Sequence, residues 1–338
     1  MTLTGRPSSA DIGTPLDRNL ALELVRVTEG AAISAARFMG RDRKEDADEA
    51  AVTSMRRSLG AVDMDGVVVI GEGEKDRAPM LYIGERVGNG NPPEVDVAVD
   101  PIDGTRLVAR GLPGGITTVA LAERGALYHT HVHYMEKLIV GKEARDVIDI
   151  TDSVSANLQR IAKSLGRGVE DVTVVVLDRP RHEILLDEIR SSGARVKLIM
   201  DGDVAAGLMA AMEHRTGIDV LMGIGGAPEA VLAACAVRCV GGGMQSRLWV
   251  PDEETRAQVE REGKRDSGAV LTLEELCAST NVFFAATGIT DGELLQGVRF
   301  LEGNRCRTQS LVMRSHSGTI RYIDAEHSLD KLRLRAGS

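Results

Sequence analysis

An alternating apolar run, Val95-Asp96-Val97-Ala98-Val99, passes directly into Asp100-Pro101-Ile102-Asp103-Gly104-Thr105. The run has the period-two pattern of a strand. Its end must therefore present two carboxylates three residues apart. Proline fixes φ after the first acid, glycine allows a sharp turn after the second, and Thr105 sets a hydroxyl beside them. Hard divalent cations take oxygen ligands, usually one or two carboxylates with waters and phosphate oxygens. Asp-x-x-Asp-Gly is also an ordinary turn sequence.

A second acidic strand end weighs against the ordinary turn. Val67-Val68-Val69-Ile70 is β-branched and apolar, and it ends in Gly71-Glu72-Gly73-Glu74. Glu72 and Asp100 lie 28 residues apart and can become neighbours in one sheet. Their charges then repel unless metal ions neutralise them.

With both turns in place, the chain resembles the lithium-sensitive, magnesium-dependent sugar and inositol phosphatases. More narrowly, it resembles class II, bacterial-type fructose-1,6-bisphosphatases. The matching stretches are Val69–Glu74, Ala78–Glu85, Tyr134–Gly141, Asp178–His182, Asp201–Asp203, Gly223–Glu229 and Ala286–Thr290, with the acidic turn at Asp100. They follow the family order from about residue 20 to about residue 325.

The resemblance implies an α/β layered sandwich of two subdomains, each a mixed sheet covered by helices. Residues 1–150 would form the metal-binding part and 151–338 the substrate-binding part. It implies Mg2+ or Mn2+ held by Asp48, Glu72, Asp100, Asp103 and Glu229. Thr105 would orient or deprotonate the attacking water, with Asp100 and Glu72 as the other catalytic groups. Substrate contacts carry over to Asp103, Gly104, Thr105, Tyr134, Arg179, Pro180, Arg181, Asp201, Gly202, Asp203 and Gly226. Arg181 is the candidate for the remote phosphate, because its planar fork matches phosphate oxygens. Asp201 and Asp203 are the candidates for sugar hydroxyls. The chain departs from the family at Asp42-Arg43-Lys44, where Gly-Asp-Lys is usual, and at Asp103, where Glu is frequent.

The implied reaction is hydrolysis of the 1-phosphate of D-fructose 1,6-bisphosphate to fructose 6-phosphate, a gluconeogenic step. Sedoheptulose 1,7-bisphosphate is a second substrate in photosynthetic relatives. The alternatives are an inositol monophosphatase-like enzyme and a sugar-phosphate-binding protein without turnover. A nicotinamide-dependent oxidoreductase needs a complete glycine fingerprint, and Gly223-Ile-Gly225-Gly226-Ala-Pro228 lacks it.

Composition narrows the partners. With 338 residues, two subdomains are expected. Aromatics at 3% leave little for stacking on single strands, and a net charge of −9 disfavours phosphate-backbone binding, so no nucleic-acid partner is expected. No run approaches about 18 apolar residues, the length of a membrane span. Met1 to Ile12 reads as a disordered leader without a signal peptide's apolar core, so a cytoplasmic location is expected. The resemblance implies a homo-oligomer, dimer or tetramer. Cys235 and Cys239 read as buried thiols in a helix.

Along the chain, Thr14 is expected to cap a helix that buries Leu20, Leu24, Val27 and Ala31. Asp48 is expected to open a second helix. Strands are expected near 66–70, 80–84, 95–99 and 116–122, and another over 126–140 carrying His129, His131 and His133 on one face. From residue 152 strands and helices alternate, with polar residues at the strand-to-helix turns, where open sheets gather ligands. A closing hairpin is expected over 307–323.

Overall fold

The computed structural model describes residues 15–72, 80–262 and 268–336. The expected leader, the Thr14 cap and the second acid of the first turn, Glu74, lie outside the described residues. Helices α1 (Pro15–Ala36) and α2 (Lys44–Leu59) come first. Strands β1 (Asp65–Ile70), β2 (Arg86–Val87) and β3 (Glu94–Asp103), helix α3 (Thr105–Arg110) and strand β4 (Ile116–Glu123) follow. Next come β5 (Tyr134–Val140), α4 (Val154–Ser164), β6 (Thr173–Leu177), α5 (Glu183–Ser191), β7 (Arg195–Ile199), α6 (Asp203–Ala211) and α7 (Glu213–Thr216). Then β8 (Val220–Gly226), α8 (Ala227–Val240), β9 (Gly243–Leu248), α9 (Glu253–Arg261), β10 (Leu271–Thr272) and α10 (Leu273–Leu276). The chain closes with β11 (Phe283–Gly288), β12 (Arg299–Leu301), β13 (Arg305–Arg314), β14 (Thr319–Ser328) and α11 (Leu329–Ala336).

Two mixed sheets result. The first runs β12-β13-β11-β4-β3-β1-β2, with β14 also on β13; the second runs β10-β9-β5-β8-β6-β7. The last strands therefore return to the first sheet through the antiparallel β11–β4 pairing, and a boundary at residue 150 leaves first-sheet strands on both sides. Helices fill three layers. Leu24, Val27 and Met55 of α1 and α2 pack on the outer face of the first sheet, beside Val97, Val99 and Leu121. Leu158, Ile161 and Ile189 of α4 and α5 cover the outer face of the second, on Val174 and Val176. Between the sheets lie α6 and α8, joined by Ala98, Ala120, Met135 and Ile139.

Three local expectations are corrected. Residues 80–85 form turns, not a strand, and only Arg86–Val87 pairs with β1. Asp48 does not open α2; the helix begins one turn earlier at Lys44, with Glu45 and Asp46 as its first-turn acids. The 126–140 segment is a strand only from Tyr134. His129 and His131 precede it on irregular chain with their rings edge to face at 4.7 Å, so no three-histidine strand face exists. Cys235 and Cys239 are buried thiols as expected.

Candidate active site

The two acidic turns are neighbours because β1 and β3 pair in parallel, with Ile70 opposite Ala98. Glu72, two residues past the end of β1, thus comes close enough to Asp100 of β3 for the two charges to repel. Opposite β4, the register of β3 shifts between Asp100 and Asp103, so both carboxylates fall in an irregular stretch. Asp100 accepts from the Ile102 amide at 3.1 Å. Asp103 is buried and accepts from the Ala205 amide at 2.8 Å. Gly104 then adopts φ +90°, a left-handed conformation that L side chains rarely take, and Thr105 begins α3. The Thr105 hydroxyl donates to the Ile102 carbonyl at 3.2 Å, and it lies near enough to the Asp48 carboxylate to favour its charged form.

Charge ties acids from both sheets into one site. Desolvation, opposed by Lys44 and Thr105, raises Asp48 to about 6. Glu72 stands exposed at the mouth, yet enough protein surrounds it that desolvation, then the charges of Asp48 and Glu229, lift it to about 7. Asp100 is held well above the usual carboxylate range by desolvation, then by Asp103, Glu229 and Glu72. Asp103 is raised by desolvation, then by Asp203, with Glu229 and Asp201 adding to it. Glu229, in the first turn of α8, is pushed up by desolvation and Asp203, while Lys137 pulls it down.

The donor chemistry fits a hard divalent cation. Every acid offers oxygen, the acids repel one another, and buried Oε2 of Glu229 has no hydrogen-bond partner among the described residues. As they stand, no three acid, histidine or cysteine side chains among the described residues converge to hold an ion.

The substrate-side residues gather at the ends of β5, β6, β7 and β8. Tyr134 starts β5 opposite Gly226 and is exposed. Arg181 follows Pro180 in a short turn after β6. Its Nε and Nη2 both donate to the Ile224 carbonyl, at 3.2 and 2.7 Å, which leaves the outer Nη1–Nη2 edge for a ligand. Asp201 precedes α6, accepts from the Arg106 amide at 3.3 Å and stands 3.7 Å from Arg179. Gly202 caps α6, and Asp203 is its first residue.

A family model described as bacterial fructose-1,6-bisphosphatase, glpX-encoded, matches residues 18–327. The chain belongs to this family. A D-fructose 1,6-bisphosphatase class 2/sedoheptulose 1,7-bisphosphatase from Synechococcus sp. (strain JA-3-3Ab) is 46% identical, covering 93% of this chain and 97% of that protein. A protein of the same name from Gloeobacter violaceus is 43% identical over the same shares. The chain is a phosphatase of the class 2 fructose-1,6-bisphosphatase type. Among solved structures, extragenic suppressor protein suhB from Bartonella henselae matches at 15% identity and a TM-score of 0.34, over 60% of this chain and 74% of that one. An inositol monophosphatase from Zymomonas mobilis matches at 17% and 0.33, over 57% and 72%.

Two residues of this bisphosphatase site escape a reading by motif. Buried His182 has Nδ1 2.7 Å from the Leu177 carbonyl, while its Nε2 accepts from the Ile224 amide at 2.7 Å. Those partners require the neutral tautomer with the proton on Nδ1, and burial pushes its pKa down. Ile224 is thus gripped at both ends of its backbone, by His182 and by Arg181. The other residue is Lys137, whose ammonium lies 2.6 Å from Asp203. Its signal in the sequence is a lysine between Met135 and Ile139, at the parity of an inward strand face.

Proposed function

We propose that the chain hydrolyses the 1-phosphate of D-fructose 1,6-bisphosphate, and the matching phosphate of sedoheptulose 1,7-bisphosphate, with Mg2+ or Mn2+ held by Asp48, Glu72, Asp100, Asp103 and Glu229. The observation that carries this reading is the meeting of Asp100 and Asp103, from the first sheet, with Glu229, from beside the second, in one repelling set. Uncatalysed phosphate monoester hydrolysis is slow enough that about 20 kcal/mol or more must be supplied. A bound divalent ion lowers the pKa of water and offsets phosphoryl charge. Thr105, beside Asp48, positions the attacking water and relays its proton. The Gly104 and Thr105 amides face the scissile phosphate. Arg181 takes the remote phosphate on its outer edge, against Tyr134. Asp201 and Asp203 accept from sugar hydroxyls, and Arg179, Pro180, Gly202 and Gly226 shape that side.

Support for two substrates comes from the double name of the relatives at 43% and 46% identity. We also propose a metal-binding and a substrate-binding subdomain, and a cytoplasmic homo-oligomer, dimer or tetramer. Among the described residues no helix is long and apolar enough to cross a membrane. The test is phosphate release from both bisphosphates, with the remaining monophosphate identified by a fructose 6-phosphate-specific coupled assay. A product phosphorylated at position 1 would overturn the assignment.

A further inference from the structure

Lys137 is the only lysine or arginine in the buried set among the described residues. It sits in the middle of β5, opposite Gly223 of β8 and Ser246 of β9. Its neighbours of the same parity, Met135 and Ile139, are fully buried between the sheets. An apolar residue would suit that place, because burying a charge costs much unless it is paired. Lys137 is paired: its Nζ is 2.6 Å from Asp203 Oδ2.

The surroundings are cut to fit this pair. A Cβ on Gly225 would stand 1.9 Å from Asp203 Oδ2 and 3.0 Å from Lys137 Nζ. Asp203 also has Asp103 and Glu229 close enough to be felt as like charges. A carboxylate repelled from that side needs a counter-charge to stay. The ammonium is anchored in the central strand and cannot follow solvent.

We infer that Lys137 is a positioning residue for substrate selection: it fixes one oxygen of Asp203 and so sets the place and angle at which the other meets a sugar hydroxyl. The inference rests on the reading of Asp203 as a substrate contact. A structural ion pair alone would affect stability, whereas a positioning pair acts on KM through Asp203; Lys137 also draws on the charge of Glu229, so the share that passes through Asp203 is read from a cycle between the two residues.

The test is a double-mutant cycle on the metal-loaded full chain, reading KM and kcat for fructose 1,6-bisphosphate. Lys137→Met and Asp203→Asn should each raise KM about tenfold or more, with a smaller change in kcat. The double variant should be no worse than the weaker single, because an amide no longer needs the cation. Effects that multiply would overturn the inference. A wild-type KM for Lys137→Met beside an impaired Asp203→Asn would overturn it and leave the contact reading intact. A wild-type KM for Asp203→Asn would remove both. Lys137→Arg keeps the charge but not the geometry. It should fold and still raise KM about tenfold, even where Lys137→Met fails to fold; a wild-type KM for it would overturn the inference.

Discussion

The guanidinium carbon of Arg181 lies 5.1 Å from the centre of the Tyr134 ring, so a residue after β6 stacks on the first residue of β5. The stack and the Ile224 carbonyl fix the arginine in place before any ligand arrives. Burial lowers its pKa from the ordinary arginine value, and a phosphate would offset that cost.

Arg181→Ala is therefore expected to cost fructose 1,6-bisphosphate turnover about 2 kcal/mol in kcat/KM, the scale of a charge-assisted contact. A simple aryl monophosphate has no remote phosphate and should change far less. Measuring kcat/KM for both substrates decides it. An equal drop on both would assign Arg181 to the scissile phosphate or to the fold.

Thr105 separates a hydroxyl from a methyl. Thr105→Ser keeps the hydroxyl and should keep much of the activity. Thr105→Ala should lose about 10²–10⁴-fold, the span for a positioned proton-transfer group. Equal rates for the two variants would rule out a role for the hydroxyl.

Asp100→Asn should cut phosphate release more than tenfold, a loss above ~1.4 kcal/mol. It should not lower the melting temperature of the metal-free protein. The amide oxygen can still accept from Ile102, and the repulsion from Asp103, Glu229 and Glu72 is relieved. Thermal melts and phosphate release on one preparation test both halves. Retained turnover would remove Asp100 from the metal set.

The pH dependence of stability follows from the raised acids. Glu72, lifted to about 7, and Asp48, lifted to about 6, bind protons in the folded chain that the unfolded chain has released. Their contribution is present below the ordinary carboxyl range near pH ~4 and is lost as pH rises through about 6 to 7. Melting temperature of the metal-free protein should fall across that window. Glu29, also raised to about 7 by burial, feels none of the site acids and adds to the same slope. Glu72→Gln isolates the share of the site. Parallel melting curves for wild type and Glu72→Gln at every pH would contradict it.

Much of the architecture was legible because it is local. The period-two runs of β1 and β3, the apolar stripe of α1 and each strand or helix of the alternation after residue 152 announce themselves within a short stretch of chain. Strand 80–84 misled because Met80, Leu81 and Ile83 look apolar, whereas Leu81 is buried in a turn with φ +55°. The return of β11 to β4 pairs residues more than 160 positions apart, and no local pattern reports such a pairing. At the site, the acids stood out as strand-end clusters. The grip on Ile224 could not, because His182 and Arg181 hold a backbone group 42 and 43 residues away.

The most direct measurement is phosphate release from fructose 1,6-bisphosphate by the purified chain after chelation, then after adding back Mg2+ or Mn2+. Release should be near background in chelator and return with either ion. Glu229→Gln should stay near background under both conditions. Full activity in chelator, or an undiminished metal response in Glu229→Gln, would contradict a metal site built across the two sheets.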